Sequence, residues 1–316
     1  MLFSVTAEIK TAQDPFITRW NRNYRKFKYV YLMLVPVLSF YIIFHYIPMG
    51  GAVIAFQDYK PALGFAKSSW VGFRHFADFL GGPYAWRLIR NTLLINLYSL
   101  LFGFPAPILL ALFINEIRLR HYKNIVQTVS YMPHFISLVV ICGLLQAFCR
   151  TDGIFNDFLA LFGAQRSNLL ARAELFRTIF VGSGVWQTMG WGSIIYLATL
   201  SGVDPNMYEA AAIDGAGRLR RMIHISFPVL VPVIVVQLIM RIGNILSQGF
   251  EKIILLYSPL IYETSDVISS YVYRRGLVQM DYSFGSAVGI FNSVVNLATL
   301  VLANYIAKHT IKESLW

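Results

Sequence analysis

Charged residues are scarce in this chain. Asp, Glu, Lys and Arg make up 14% of its 316 residues, and the mean hydropathy is +0.56. A soluble domain of this length carries more charge and shorter apolar runs. The scarcity therefore excludes an ordinary soluble enzyme and indicates an integral membrane protein. The long apolar runs do not alternate with period two, which excludes a membrane β-barrel.

Cysteine and catalytic groupings are equally scarce. Cys142 and Cys149 are the only cysteines, too few for a disulfide scaffold, and no His/Cys cluster has metal-ligand spacing. His45, His134 and His224 fall in different apolar runs or at their ends, without an acid or nucleophile at a useful spacing. We therefore expect a non-catalytic protein with no cofactor or metal of its own.

Six apolar runs are long enough to cross a bilayer, which takes roughly 20 residues of helix. They predict an all-α membrane protein with an N-terminal segment, 1–29, and a transmembrane domain, 30–316. The prolines inside the runs are tolerated where neighbouring helices satisfy the freed carbonyls. The predicted spans are 30–50, 88–114, 125–148, 176–200, 223–247 and 282–306.

Basic residues are distributed unequally between the two sides of these spans. The segments on the side of the N-terminus hold 14 Lys and Arg against seven acids, and those on the other side hold 10 against nine. Because cytoplasmic loops are enriched in Lys and Arg, both termini are predicted to lie inside the cell. The net charge of +11 then reflects cytoplasmic loops and does not indicate a nucleic-acid partner.

No Asp or Glu lies inside any predicted span, and the chain has no phosphate-binding G-x-x-x-x-G-K-[ST] loop. Ion-coupled transporters usually place a carboxylate in the membrane. Backbone carbonyls also bind sodium, so an ion-coupled transporter or channel subunit stays open as an alternative. If transport is uphill, the nucleotide site lies in another chain, which must dock on the cytoplasmic side.

The cytoplasmic loop 201–222 contains a predicted helix over Pro205 to Ile213. Asp204 suits the N-cap and proline the first helical position. Gly215 and Gly217 then permit the chain to turn. One reading is a docking helix with small residues that admit a partner; the other is an ordinary amphipathic loop helix. Its predicted contact face comprises Met207, Tyr208, Ala211 and Ala212.

This loop resembles the EAA loop of permease subunits of binding-protein-dependent ABC importers. The pattern is present as Glu209-Ala210-Ala211, Gly215, Ile225 and Phe227-Pro228, with Phe227 in place of the usual Leu. The form "EAAAIDGA", residues 209–216, resembles the carbohydrate-uptake branch. A second stretch, 54–79, resembles the first outer segment of permeases for complex sugars.

The resemblance implies a type I importer permease in the bacterial cytoplasmic membrane. Its partners would be a second permease, expected to differ in sequence, a dimeric cytoplasmic ATPase that binds ATP and Mg²⁺, and an extracytoplasmic solute-binding protein. The loop would form a coupling helix seated on the ATPase. The coupling residues implied are Glu209, Ala210, Ala211, Asp214 and Gly215.

Polar and aromatic side chains in the last three spans suit a sugar path. The alternative is that the aromatic residues anchor at the interface and the Asn residues bridge helices. The candidates are Trp186, Gln187, Trp191, Tyr196, Asn244, Gln248, Asn292 and Asn296.

Three arginines lie within the spans, Arg90, Arg177 and Arg241, and no span carboxylate pairs with them. A charge inside the bilayer costs at least roughly 2.5–3.5 kcal/mol unless it faces water or a partner. One interpretation is a path for an acidic oligosaccharide such as alginate, whose carboxylates the arginines bind. The other is that the three side chains snorkel to the interface.

The outer loops 51–87 and 248–281 are rich in aromatic residues. They suit a surface that meets the binding protein, or alternatively a cover over the cavity. The tyrosines concerned are Tyr257, Tyr262, Tyr271 and Tyr273.

Overall fold

The computed structural model describes residues 16–246 and 249–310, and within these ranges nearly all regular structure is helical. The exception is an antiparallel pair of two-residue strands, β1 (Gln57–Asp58) and β2 (Ser69–Trp70). The predicted all-α class is therefore confirmed. Among the described residues, five stretches are long and apolar enough to cross a membrane: Lys26–Phe56, Ala85–Asn115, Leu138–Ala160, Arg218–Ile242 and Tyr282–His309.

The first compact unit comprises the described residues up to residue 53. Its main helix, α1 (Phe16–Tyr41), contains a kink at Phe27, where the backbone leaves the helical region. A π turn (Ile42–Tyr46) and the short α2 (Ile47–Met49) follow. None of the side chains described between residues 26 and 50 is buried, and most are apolar. Such a surface suits contact with lipid.

The second unit comprises the described residues from residue 54 onward and begins with short elements around the strand pair. Two long helices, α5 and α6, follow almost without interruption and meet at the Phe104–Pro105 junction. The helices of its first half are α3 (Gly64–Lys67), α4 (Arg74–Leu80), α5 (Ala85–Gly103), α6 (Pro105–Asn115), α7 (Arg120–Tyr131), α8 (Leu138–Cys149), α9 (Ile154–Ala160) and α10 (Ala173–Leu200).

The helix predicted over 125–148 is interrupted. After α7, residues Met132–Phe135 form a 3₁₀ turn that contains Pro133, and Ile136 is extended. The Ser137 side chain then caps α8 by accepting a hydrogen bond from the backbone N–H of Val140 at 3.4 Å. Proline and the cap together end one helix and begin another. The apolar stretch that is long enough to span therefore begins at Leu138 and not near residue 125.

The second half contains a series of short helices and a long final helix. Its helices are α11 (Pro205–Ile213), α12 (Arg218–Arg221), α13 (Phe227–Ile242), α14 (Phe250–Leu256), α15 (Tyr262–Ser265), α16 (Ile268–Val272) and α17 (Tyr282–Thr310).

Helix α10 lies at the centre of this unit and packs against α5, α6, α7 and α13. Gly190 allows the closest approach, because a Cβ there would overlap the backbone oxygen of Ser130. Gly192 similarly adjoins the ring of Pro107. Small residues at helix contacts are typical of membrane bundles. At 28 residues α10 is long enough to span, but its Gly, Ser, Thr and Gln content makes it less apolar than the five stretches above.

Candidate functional site: an exposed loop helix and a cationic cavity

The helix α11 is formed as its sequence predicts. Asp204 is extended, and its carboxylate accepts a hydrogen bond from the Asn206 backbone N–H at 3.0 Å, while Pro205 takes the first helical position. Gly215 ends the turn with φ +79°, a left-handed conformation that disfavours residues with a Cβ. Gly217 has an ordinary φ of −65°, so only the first of the two glycines uses the special backbone freedom.

The surface of α11 is unusually open. No residue of the helix is buried, and the side chain of Ile213 is 87% exposed. The implied coupling residues Glu209, Ala210, Asp214 and Gly215 are all exposed, whereas Ala211 is half-buried. The described part of the chain therefore leaves a short helix with a small, apolar face available for contact.

Tyr208 connects α11 to the start of the next long helix. Its hydroxyl lies 3.0 Å from the Oγ of Ser226, which is 1% exposed, and the Arg221 guanidinium donates to its backbone oxygen at 3.5 Å. The sequence predicts Tyr208 on the partner-facing side. The structure instead uses it, half-buried, to join α11 to the residue that precedes α13.

Two cavities meet at Arg241. The larger, about 520 Å³, lies between α5, α10, α13 and α14, and the smaller, about 430 Å³, between α5, α6, α10 and α13. Both are lined by Gly103 and Arg241. The larger also includes Ser99, Gln187, Thr188, Glu251 and Lys252, and the smaller includes Trp191, Tyr196 and Gln237.

Within the described residues, the Arg241 guanidinium has neither a hydrogen bond nor an ion pair. Space for it is left by Gly103, where a Cβ would lie 3.4 Å from Nη2. An arginine has five N–H donors. The side chain therefore presents a full set of donors to the two cavities.

The other predicted path residues divide into two groups. Gln187, Trp191 and Tyr196 line the cavities beside Arg241. Trp191 is stacked on His134, with ring centroids 4.6 Å apart and planes 3° from parallel. Trp186 lies on a different side of α10, in an apolar hollow with Phe148. It is therefore not part of the cationic cavity.

The predicted Asn residues lie apart from this cavity. Asn244 donates to the Met240 carbonyl at 3.1 Å and is exposed. Asn296 accepts a hydrogen bond from the Leu246 backbone N–H at 3.2 Å and thereby joins α17 to the turn that follows α13. Asn292 has a buried Oδ1 without a protein partner among the described residues. Gln248 lies outside the described residues.

Arg90 and Arg177 bind part of the loop 248–281, which the sequence predicts outside the cell and which is called the outer segment below. Arg177 donates to Asn91 Oδ1 at 2.8 Å, and Asn91 donates to the backbone oxygens of Glu263 and Asp266, each at 2.9 Å. Arg90 donates to the Glu263 oxygen at 3.1 Å. Arg90 and Arg177 therefore donate hydrogen bonds to protein groups, whereas Arg241 donates none within the described residues.

Asp266 is the charged centre of this outer network. It is fully buried, and its Oδ2 accepts from Arg87 at 3.3 Å and from Arg274 at 2.8 Å. Burial lowers the pKa of Arg274, but the hydrogen bond and charge of Asp266 outweigh this effect and raise the pKa above its ordinary value. The Arg274 guanidinium also lies 4.4 Å above the Tyr262 ring.

The outer tyrosines therefore pack partly among themselves. Tyr257 and Tyr262 are stacked at 5.4 Å, and both lie near Arg274. Tyr271 packs on Phe284, and Tyr273 packs on Phe250. These aromatic contacts stabilise the fold of the outer segment.

Sequence reasoning missed Lys252. It places this residue in an outer loop, whereas α14 packs against α8 and the Lys252 side chain is only 6% exposed. The available signal was a lysine within "FEKIILL", directly after Gly249. Gly249 has φ +80°, and a Cβ there would lie 2.9 Å from the Phe180 ring. Glycine thus permits α14 to approach α10.

Comparison with known proteins agrees with these features. The family model for the binding-protein-dependent transport system inner membrane component matches residues 103–312. The protein LplB of Bacillus subtilis (strain 168) is 44% identical over 298 residues, which is 94% of each chain. The polygalacturonan/rhamnogalacturonan transport system permease protein YteP of the same organism is 43% identical, over 92% of this chain and 90% of that one.

Two solved structures have the same fold. One is a bacterial ABC transporter involved in the import of the acidic polysaccharide alginate; its matching chain has a TM-score of 0.86 and 42% identity, over 92% of this chain and 99% of that one. The other is a bacterial alginate ABC transporter in complex with an alginate pentasaccharide-bound periplasmic protein, with a TM-score of 0.86 and 41% identity, over 93% and 99%.

The helical membrane fold, the exposed loop helix and these similarities define an inner-membrane transport subunit. The chain belongs to the family of binding-protein-dependent transport system inner membrane components. It is thus a non-catalytic permease subunit of an ABC importer, which works with a second permease, an ATPase and a solute-binding protein. The predicted family and the inner-membrane location are therefore confirmed. The alternative of an ion-coupled transporter or channel subunit is not confirmed.

Proposed function

We propose that this chain forms half of the translocation path for an acidic oligosaccharide, with Arg241 as the main carboxylate-binding residue. The observation that supports this most directly is the unpaired guanidinium between two cavities, within the part of the chain that the structure describes. A guanidinium binds a carboxylate through two parallel hydrogen bonds. The names of the similar proteins, which include polygalacturonan and alginate transport, point to the same solute class.

We further propose six spans, with both termini in the cytoplasm. Helix α10 would be the fourth span, since its length suits a crossing and it packs against long apolar helices. The excess of Lys and Arg on the N-terminal side supports this orientation. The loop containing α11 then faces the cytoplasm, where an ATPase is found.

Coupling would pass from α11 to α13. The Tyr208–Ser226 contact lies at the beginning of α13 and Arg241 near its end. With a rise of 1.5 Å per residue, these positions are about 22 Å apart along the helix. Movement of α11 with the ATPase would therefore shift α13 as a rigid body and change the surroundings of Arg241. Glu209, Ala210, Ala211, Asp214 and Gly215 are proposed as the surface that the ATPase contacts.

The test is substrate-stimulated ATP hydrolysis by the complete transporter in proteoliposomes. We expect stimulation by an oligogalacturonide and little stimulation by its fully methyl-esterified form, which has the same sugar chain without the charge. Binding of each oligomer to the isolated solute-binding protein is measured in parallel, so that discrimination by that partner is separated from discrimination by the permease. Equal stimulation by both forms at equal loading of the binding protein would contradict the proposal.

A further inference from the structure

The side chain of Lys252 is a nearly enclosed positive charge. It is 6% exposed, and its Nζ donates to the Phe180 backbone oxygen at 2.8 Å and to Ser183 Oγ at 2.9 Å. Among the described residues no carboxylate forms an ion pair with it. A buried charge without a counter-ion is costly to keep. Its presence calls for a use that packing alone does not supply.

One N–H of Lys252 has no hydrogen-bond acceptor among the described residues, although Nζ also lies 4.8 Å from the centroid of the Phe180 ring. An ammonium group has three N–H donors, and the described chain accepts two of them. Lys252 lines the same 520 Å³ cavity as Arg241. The third donor is therefore available to a group that enters the cavity.

A glycine lies beside each of the two cations. A Cβ at Gly184, on α10, would lie 3.5 Å from Lys252 Nζ, and a Cβ at Gly103, on α5, would lie 3.4 Å from Arg241 Nη2. Both glycines line the cavity. Two different helices thus lack a side chain at the points where one would stand against the cations.

On the basis of the proposed function, that this cavity conducts the solute, we infer that Lys252 is a second carboxylate-binding residue beside Arg241. Arg241 offers a planar, bidentate donor set, whereas Lys252 offers a point charge. The pair fits an oligosaccharide with carboxylates on more than one sugar unit. Lys252 thereby favours polyuronates over oligomers with a single acidic unit.

The first test uses the complete transporter in proteoliposomes with the Lys252→Met substitution, which removes the charge and keeps the length. The readout is the oligogalacturonide concentration that half-maximally stimulates ATP hydrolysis. Loss of one charge-assisted contact is expected to raise it by about tenfold. An oligosaccharide with one uronic unit should show a much smaller increase. A merely structural role for Lys252 would change the response to both oligomers alike.

A milder pair of variants guards against a folding defect. Gly184→Ala places a methyl group in ordinary contact with Nζ, while Gly182→Ala, on the same helix, meets nothing within 4 Å. We expect Gly184→Ala to weaken the response to the polyuronate by severalfold and Gly182→Ala to leave it unchanged.

The two levels of the proposal fail differently. If the wild-type transporter does not distinguish the free acid from its methyl ester, the acidic path itself is wrong. If it does distinguish them, but Lys252→Met and Gly184→Ala respond to the polyuronate as the wild type does, the role of Lys252 is overturned and that of Arg241 remains.

Discussion

Gly215 has a backbone conformation that favours glycine. It has φ +79° at the end of α11, whereas Gly217, two residues later, has φ −65°. At neither glycine does any atom lie within 4 Å of the position that a Cβ would occupy. Any side chain at Gly215 would therefore be opposed by backbone conformation and not by crowding. The two positions form a matched pair for testing the loop.

We expect Gly215→Val to impair coupling between ATP hydrolysis and transport. Left-handed backbone costs a residue with a Cβ roughly 1–2 kcal/mol, so the turn should rearrange and move the end of α11. Insertion into the membrane should be unaffected. The measurement is uptake per ATP hydrolysed by the reconstituted complex, with Gly217→Ala as the control. Normal coupling in Gly215→Val would contradict the role assigned to this loop.

At the scale of elements, the outer segment depends on one buried carboxylate. Asp266 joins Arg87 of α5 to Arg274, and Asn91 of α5 binds the backbone of the same segment. The contrasting ion pair is Arg74–Asp78 on α4. Its Nε and Oδ2 atoms lie 3.9 Å apart, and both side chains are exposed. Because Asp266 is buried and Asp78 is exposed, we expect Asp266 to contribute more to the stability of the protein.

The Asp266→Asn substitution should destabilise the protein by about 3–5 kcal/mol, because it leaves two arginines without their buried partner. Asp78→Asn should change stability by no more than about 1 kcal/mol, as exposed ion pairs do. Thermal unfolding of the purified permease in lipid nanodiscs measures both. Equal unfolding temperatures for the two variants would contradict the assignment of Asp266 as the centre of the outer network.

The elements also differ in how far sequence predicts them. Local chemistry predicts α11 well, since Asp204, Pro205 and Gly215 specify its two ends within the loop. The break after α7 cannot be predicted from the apolar run, which continues across it, or from Pro133. Prolines also occur inside continuous helices such as α13, which contains Pro232. The packing of α14 depends on the approach of Gly249 to Phe180, a contact between residues far apart in sequence.

The same limit applies to the site residues. Arg241, Gln187 and Trp191 are predicted from residue type and depth in a span, and in the structure they line the two cavities. Arg90 and Arg177 have the same signature in sequence but bind the outer segment. The sequence contains no indication of which arginine has an acceptor nearby.

At the scale of the whole molecule, the topology decides which side meets the ATPase. Accessibility of single cysteines tests it, after Cys142 and Cys149 have been replaced by Ala. Leu161→Cys and Leu260→Cys should react with an impermeant maleimide in intact cells, and Ile213→Cys should react only after permeabilisation. All three positions are more than four-fifths exposed. Reaction of Ile213→Cys in intact cells would contradict the proposed topology, in which α10 crosses the membrane and the loop containing α11 faces the cytoplasm.

The central claim is that the chain conducts acidic oligosaccharides past Arg241. The most direct measurement is uptake of labelled oligogalacturonide into proteoliposomes that contain the complete transporter with Arg241→Gln. The control is Arg118→Gln, which changes an arginine on the loop between α6 and α7, away from the cavity. The account predicts that Arg241→Gln reduces uptake at low oligomer concentration by about tenfold or more, as expected for loss of a charge-assisted pair, while Arg118→Gln does not. Uptake by Arg241→Gln at the wild-type rate, over the full range of oligomer concentrations, would contradict it.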